Sequence, residues 1–316
     1  MSAHRAMAPA KVNLGLFLGP TRGQDGRHEL VTVMQSISLA DELTLAPAPA
    51  GASGDELVCA GVEGPPEANL AAAALRLFRE RTGWDAPPQR LEIVKRIPVA
   101  AGLGGGSADA AAALRLAVHA SGLGDRELML ELAQELGADV PAQVEPGRWL
   151  ARGVGERLEA LPAPIAAFGV LILPSGEGLP TGSVFAEADR LGLARSTGEL
   201  QDRGRELYSA LEHGAPLAAA SELLHNDLQR AAVSLRPDIA AVLREARAAG
   251  AELSLLSGSG PTVLGLFAHA GSAGGGVELA RLAATGLASR VAGAFSAAPV
   301  EAAFGAVTSA CATIPD

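Results

Sequence analysis

The residues from Pro98 to Ala113 limit this chain's fold more than any other stretch. They read "PVAAGLGGGSADAAAA": four glycines within five positions, running straight into alanines. Glycine takes positive φ without penalty and lets backbone come close to a neighbour. Successive free amides form a concavity that holds anions, and a following helix turns the positive end of its dipole toward phosphate. Ser107 reads as the N-cap of that helix and Gly122 as its stop. Two well-known phosphate loops do not fit. A Walker A loop requires Lys-Ser or Lys-Thr after its last glycine, and here Ser107-Ala108 follows. The dinucleotide fingerprint belongs to a first βα turn with an acidic residue about 20 positions further on. Taken alone, the run is equally well a tight turn beside a packed helix.

Composition decides what the remainder can be. With 48% hydrophobic and 19% charged residues, the 316-residue chain supports a large core and one or two domains. Aromatics are only 3%, so that core is built mainly from Ala, Val and Leu. A net charge of -10 argues against a nucleic-acid partner, which calls for a basic face. It leaves room for a nucleotide held locally by amides and a few basic side chains. Cys59 and Cys311 lie far apart and in no CxxC pattern, which speaks against a disulfide framework or a zinc site and fits a reducing cytoplasm. The segment "MSAHRAMAPA" lacks the apolar run of a signal peptide, and no stretch is long and apolar enough to span a membrane. The expectation is a soluble cytoplasmic protein with no membrane partner. With no coiled-coil seam, monomer and homodimer both stay open.

Strand patterns are expected at "AKVNLGLFLG", in "VTVMQSISLADELTL" (one strand or two), at "RLEIVKRIPV", in "LPAPIAAFGVLILPSG", in the glycine-broken "LSLLSGSGPTVLGLFA" and near 291–298. Helices are expected at "ANLAAAALRLFRERTG" with Gly83 as C-cap, at "SADAAAALRLAVHASG", at "DRELMLELAQELGADVP", around 183–194, 200–213, 215–224 and 237–249, and in "GGVELARLAATGLA". Pro162 and Pro164 suggest a boundary between halves. Strands and helices mix without regular βα alternation, which makes the fold class α+β.

Two further segments bear on the glycine run. In "APAKVNLGLFLGPTRGQDGRHEL", Lys11 and Asn13 stand two apart in a strand-like context and so share a face. "LSGSGPTVLGLF" is a second glycine loop between apolar runs, which alone reads as a hairpin turn. In this order the pieces "PAKVNL", "DGRHEL", "IPVAAGLGGGSADAAAAL", "LGADVP", "PTGSVF" and "SGSGPT" resemble the GHMP kinase superfamily of small-molecule kinases over most of the chain. No single piece is specific; their combination is.

That resemblance implies a two-domain GHMP kinase fold. A ribosomal-protein-S5-like N-terminal domain at 1–160 would hold ATP, and a ferredoxin-like C-terminal domain at 161–316 would follow, the last strand returning to the N-terminal sheet. Within the superfamily the motifs are most similar to kinases that phosphorylate a hydroxyl of a cytidine-diphosphate-linked polyol, on the non-mevalonate route to isoprenoid precursors. Carried over by position, Pro98, Val99, Ala100, Ala101, Gly102, Leu103, Gly104, Gly105, Gly106, Ser107 and Ala108 form the triphosphate cradle. Lys95 and Asn69 belong to the nucleotide end. Lys11 and Asp139 form the catalytic pair, with Asn13 orienting them. Arg27, His28, Thr181 and Phe185 belong to the substrate pocket, His28 bonding the cytosine ring and Phe185 stacking on it. ATP and Mg²⁺ are the implied cofactors, the metal held mainly through ATP phosphates with the Ser107 hydroxyl nearby and no dedicated protein metal site. The family usually has Tyr where Arg27 stands; a guanidinium also stacks on a π-face.

Blander readings stand beside these. Asp139, just after Gly137, could cap the next element. Asp109 reads as a first-turn carboxylate facing its own helix dipole. His4, His119, His213, His225 and His269 form no metal-like cluster, Met129 and Leu132 are core, and "RELYSALEHG" is a solvated helix face. "HNDLQRAAVSLRPDI" is structural, packing near the site. A kinase for another alcohol (a sugar, a mevalonate-like acid or homoserine) and a non-catalytic nucleotide-binding relative remain the alternatives.

Overall fold

The structure, a computed structural model, describes residues 3–62, 65, 68–174, 178–214, 217–268, 274–291 and 293–310. Two long antiparallel strands, β1 (Ala3–Thr21) and β2 (His28–Pro47), form its frame. Their register shifts between Pro9 and Lys11, between Asn13 and Gly15, and between Leu18 and Thr21. Such irregularities bend a strand and re-aim its side chains without ending it. This is why one continuous strand replaces the shorter ones expected. Lys11 pairs with Ser36 and Asn13 with Met34.

β3 (Glu56–Cys59) runs parallel to β4 (Gln89–Val94), and β4 pairs with one end of β2. The other end of β2 takes β5 (Arg148–Gly153), which pairs in turn with β6 (Arg157–Leu161). The sequence pattern missed this hairpin, because "EPGRWLARGVGERL" is dense in Gly and Arg rather than in β-branched residues. α1 (Leu70–Thr82), α2 (Gly105–Ser121), α3 (Arg126–Leu136) and the short α4 (Pro141–Val144) pack with this sheet. In α2 the alanines Ala110, Ala111, Ala112 and Ala113 are all buried, so the helix approaches α1 and the sheet closely.

A second sheet has the order β10-β7-β9-β8. Its strands are β7 (Gly169–Leu173), β8 (Leu253–Leu256), β9 (Val263–Phe267) and β10 (Phe295–Ala297). β7 and β9 are buried at every residue. Val170 and Ile172 join Val12, Leu14, Val33 and Ile37 of the first sheet in one core. Leu171 and Leu173 face a second core filled by α5 (Thr181–Arg190), α7 (Gln229–Leu235), α8 (Asp238–Ala248) and α9 (Gly275–Leu287). The strand expected near 291–298 is β10 and stays in this sheet. A further short strand, β11 (Thr308–Ala310), pairs with β1.

Several local expectations change. Gly104, with φ 70°, occupies the N-cap of α2 in place of Ser107, which sits inside the first turn. Asp109 is therefore past that turn, and it is buried. Residues 217–223 form a 3-10 turn instead of a helix, and α7 emerges from the stretch read only as structural. α6 (Thr197–Leu211) buries Leu200, Leu207 and Leu211, so only part of "RELYSALEHG" is a solvated face. Cys311, His269 and most of "AHAGSA" lie outside the described residues.

Candidate active site

Lys11 sits in the middle of β1 and is 7% exposed, so its ammonium needs oxygen partners. It has two: Nζ donates to Asn13 Oδ1 at 2.9 Å and lies 3.3 Å from Asp139 Oδ2. Asn13 is fixed in turn, its Nδ2 donating to Thr32 Oγ1 at 2.8 Å while the Thr32 hydroxyl donates to Gly15 O at 2.6 Å. The bulge beyond Asn13 leaves that carbonyl free for Thr32. Asp139 stands in the turn between α3 and α4. It does not cap α4, whose N-cap is Val140 with no side-chain cap bond. Its side chain is 37% exposed, leaving the carboxylate facing both Lys11 and open space.

The glycine loop arrives over this cluster. Lys11 N donates to Leu103 O at 2.9 Å, and Thr262 Oγ1 donates to Ala101 O at 2.6 Å, so β1 and the second glycine loop grip it from two sides. Gly102 has φ 75°, and a Cβ there would lie 2.6 Å from Gly260 O. Gly104 has φ 70°, and a Cβ there would lie 2.9 Å from Lys11 Cγ. Neither position admits another L-residue without movement. Ala100, at φ 58°, is the one non-glycine with positive φ among the described residues.

Two clefts meet at this loop. The first, about 320 Å³, is lined by Asn69, Lys95, Pro98 to Ser107 and Asp109. The second, about 200 Å³, contains Lys11, Asn13, Asp139, Thr181 and Phe185. Both include Gly102 and Gly104. In the first cleft Asn69 caps α1, its Oδ1 accepting from Ala71 N at 2.9 Å. Lys95 lies between two buried carboxylates, donating to Asp41 Oδ2 at 2.5 Å and Asp109 Oδ2 at 2.7 Å. Burial opposes the Lys95 charge, but Asp109 and Asp41 outweigh it and raise the Lys95 pKa. Burial, with Asp41 adding to it, pushes Asp109 up to about 7 against the opposing pull of Lys95. Ala108 is buried at the base of α2, while Ser107 is half-buried.

In the second cleft, Thr181 Oγ1 and Ser259 Oγ lie 3.1 Å apart, at the start of α5 and on the second glycine loop. Phe185 packs against the His28 ring, the centroids 5.6 Å apart. His28 is buried. Its Nδ1 lies 2.8 Å from Gly19 O, which can only accept, so Nδ1 carries the proton. His28 Nε2 is 3.0 Å from Asp189 Oδ1, without hydrogen-bond alignment. Arg27 is not brought together with the others. It is exposed, its backbone N–H donates to Asp25 Oδ1 at 3.1 Å, and it does not line the cleft.

Residues 69–147 match the GHMP kinases N terminal domain, and residues 205–275 match GHMP kinases C terminal. A 4-diphosphocytidyl-2-C-methyl-D-erythritol kinase of Salinispora tropica is 41% identical over 278 residues, 85% of this chain and 85% of the relative. The chain belongs to this kinase family. Its counterpart in Nocardia farcinica is 44% identical over 264 residues, covering 81% and 82% of the two chains. The crystal structure of a 4-(cytidine 5'-diphospho)-2C-methyl-D-erythritol kinase, 33% identical, superposes with a TM-score of 0.72 over 93% of this chain and 98% of that one. A homoserine kinase from Cytophaga hutchinsonii reaches a TM-score of 0.71 at 16% identity over 98% of each chain, a likeness of fold alone.

As a member of this family the chain is a small-molecule kinase of GHMP fold, and GHMP kinases take their phosphate from ATP. The first cleft fits a triphosphate: its loop has no room for Cβ atoms at two positions, and α2 begins inside it. For Mg²⁺, the Ser107 hydroxyl and the Asp139 carboxylate are available oxygens. Among the described residues no three His, Cys, Asp or Glu side chains gather as a metal cluster.

Two side chains support the site from outside the clefts, the first of them in the stretch expected to pack structurally near it. Asn226 Nδ2 donates to Leu256 O and Gly258 O, both at 2.7 Å, and holds the second glycine loop. Arg115 donates to Gln143 O at 2.7 Å, Val144 O at 3.2 Å and Met7 O at 2.8 Å, tying α4 to α2 and β1. Gln143 is 1% exposed, beside Gly104, and neither of its side-chain polar atoms has a partner among the described residues. No motif marks Arg115, because it acts on backbone carbonyls distant in sequence.

Proposed function

We propose that the chain transfers the γ-phosphate of ATP to the 2-hydroxyl of 4-diphosphocytidyl-2-C-methyl-D-erythritol, on the non-mevalonate route to isoprenoid precursors. The observation that carries the reading is the Lys11–Asn13–Asp139 cluster, in a cleft that shares Gly102 and Gly104 with the nucleotide cleft. Donor and acceptor would meet at that shared wall.

Phosphoryl transfer depends on in-line placement and on neutralising charge, with little covalent work for the protein. The amides of the glycine loop and the start of α2 hold the β- and γ-phosphates. The Ser107 hydroxyl would help hold Mg²⁺ on the nucleotide, where the ion would supply charge neutralisation. Lys11, already positioned by Asn13, faces the transferring group. Asp139, within 3.3 Å of Lys11 and open on its other side, orients the acceptor hydroxyl and takes its proton. Lys95 and Asn69 border the nucleoside end. On the acceptor side Phe185 offers a ring face for cytosine and Thr181 a hydroxyl, while His28 backs the Phe185 ring with its Nε2 buried 3.0 Å from Asp189 Oδ1.

The reading places the nucleotide-holding domain at 1–160 and its partner at 161–316. It is supported by the chain leaving the first sheet at Leu161 and entering the second at Gly169. It also implies a cytoplasmic enzyme working as monomer or homodimer. Among the described residues no helix is long and apolar enough to cross a membrane.

Arg27 gives a second reading its footing. Standing exposed and outside the cleft, it supplies no second face for cytosine, as a kinase for a different alcohol would allow. Turnover assays with Mg-ATP separate the two, using 4-diphosphocytidyl-2-C-methyl-D-erythritol and the same polyol phosphate without cytidine. Turnover with the cytidylyl compound alone is expected. Equal turnover with both, or turnover only with other alcohols, would overturn the substrate assignment while leaving the kinase.

A further inference from the structure

Both ends of the glycine loop are tied to one buried side chain that the transfer chemistry does not use. β4 ends at Val94, opposite Glu42 of β2. The residue before Glu42, Asp41, is fully buried, and its carboxylate takes over where the strand ladder stops. Asp41 Oδ1 accepts from Arg96 N at 2.5 Å and from Ile97 N at 2.8 Å, the two residues just before the loop. Its Oδ2 accepts from Lys95 Nζ at 2.5 Å. The same ammonium donates to Asp109 Oδ2 at 2.7 Å, in α2 beyond the loop. Asp41 and Lys95 thus join the strand that enters the loop to the helix that leaves it.

Gly105 belongs to the same fastening. Unlike Gly102 and Gly104 it has no positive φ, yet a Cβ there would lie 3.2 Å from Ile97 Cγ2 and 3.4 Å from Lys95 Nζ. Its bare backbone lets the first turn of α2 settle directly on Ile97 and Lys95. Lys95 is correspondingly ill suited to grip phosphate. Two of its ammonium's three donors go to carboxyl oxygens. With two carboxyls against one ammonium, the group has no net positive charge to offer. Asp41, for its part, is fully committed: both of its oxygens accept, and its buried charge is paired as a folded protein requires. Asp41 lines neither cleft.

We propose that Asp41 is a positioning residue for ATP: through the Arg96 and Ile97 amides, and through Lys95 to Asp109, it holds the glycine loop in its phosphate-binding shape before the nucleotide arrives. A loop already in its bound shape loses less freedom when the triphosphate enters, and affinity rises by that difference. That Asp41 serves the nucleotide rests on the reading that seats the triphosphate in the first cleft. It goes beyond that reading in making Lys95 a fastener of the loop, whose effect on ATP depends on Asp41.

The test is binding of a non-hydrolysable ATP analogue to the intact chain, measured by calorimetry with Mg²⁺, beside steady-state kinetics. Asp41→Ala should raise the analogue's dissociation constant, and KM for ATP, about tenfold or more. At saturating ATP, kcat and KM for the acceptor should stay within about twofold of native. Asp41→Asn keeps an oxygen for the two amides but loses the charge facing Lys95. It and Lys95→Met should each weaken the analogue, and the double variant should bind no worse than the poorer single one, because both break one fastening. The binding measurements need no acceptor, so they stand whatever alcohol is the substrate. Where Asp41→Ala does not fold, amide hydrogen exchange in the native chain decides, with the Arg96 and Ile97 amides expected to be as protected without the analogue as with it. Native-like affinity in Asp41→Ala would overturn the proposal alone, whereas a native chain that fails to bind the analogue would overturn the cleft assignment with it. Losses that multiply in the double variant, or Arg96 and Ile97 amides protected only once the analogue binds, would also overturn the proposal.

Discussion

At the scale of single residues, Asp109 gives the clearest pH signature. Its carboxyl rises from an ordinary 3.8 to about 7 because it is buried, with Asp41 reinforcing the shift. A raised carboxyl favours the fold most where both states are protonated, and that advantage fades as pH climbs from 3.8 through about 7. Asp109→Asn removes this dependence. Melting temperatures of variant and native protein should therefore diverge in the variant's favour across that window, and a constant gap would contradict the assignment. Gly104 makes a second prediction. Alanine there would place Cβ 2.9 Å from Lys11 Cγ at φ 70°, a strain of about 1–3 kcal/mol. Gly104→Ala should weaken ATP binding about tenfold or more by calorimetry, a loss of 1.4 kcal/mol or more, whereas Gly122→Ala, outside the cleft, should leave it unchanged. Much at this scale was legible in the sequence. Lys11 and Asn13 were readable as one strand face, and the glycine run as a bare loop at the start of a helix. Asp109 was misread, because a helix starting at Gly104 instead of Ser107 moves it out of the first turn and under the loop.

At the scale of elements, the site depends on segments held by side chains that reach across the fold. Arg115 binds three carbonyls of α4 and β1, so Arg115→Met should loosen the turn carrying Asp139. We expect kcat to fall while ATP affinity holds, together with a destabilisation of about 3–5 kcal/mol for three lost bonds to a buried charge. Asn226→Ala strips the second glycine loop of two bonds and α7 of the one from Leu228 N. A loss of about 2–4 kcal/mol in denaturant unfolding is expected. The helices that were legible carry a regular apolar period and clear stops, such as Gly83 and Gly122. The β5–β6 hairpin was hidden because its alternation is broken by Arg148, Arg152 and Arg157. β11 is three residues long and stabilised only by pairing with β1. α7 is short, and its place depends on packing against α5 and α8.

At the scale of the whole molecule, the two sheets share one core, in which Val12 and Ile37 meet Val170 and Leu264. Calorimetry should then show one cooperative transition, shifted upward as a unit by ATP. Two separable transitions would contradict a shared core. Pro162 and Pro164 lie between the last strand of the first sheet and the first of the second, but the common core has no mark in the sequence, since it joins residues more than a hundred positions apart. The same joining brings the acceptor cleft against the nucleotide cleft and leaves Asp139 beside Lys11 at their meeting point. The most direct test of that arrangement is to measure ATP affinity and single-turnover phosphoryl transfer together in Asp139→Asn. Native-like ATP affinity is expected, with transfer slowed by about 10²–10⁴-fold. Transfer at the native rate would contradict it, placing the chemistry elsewhere than at Lys11 and Asp139.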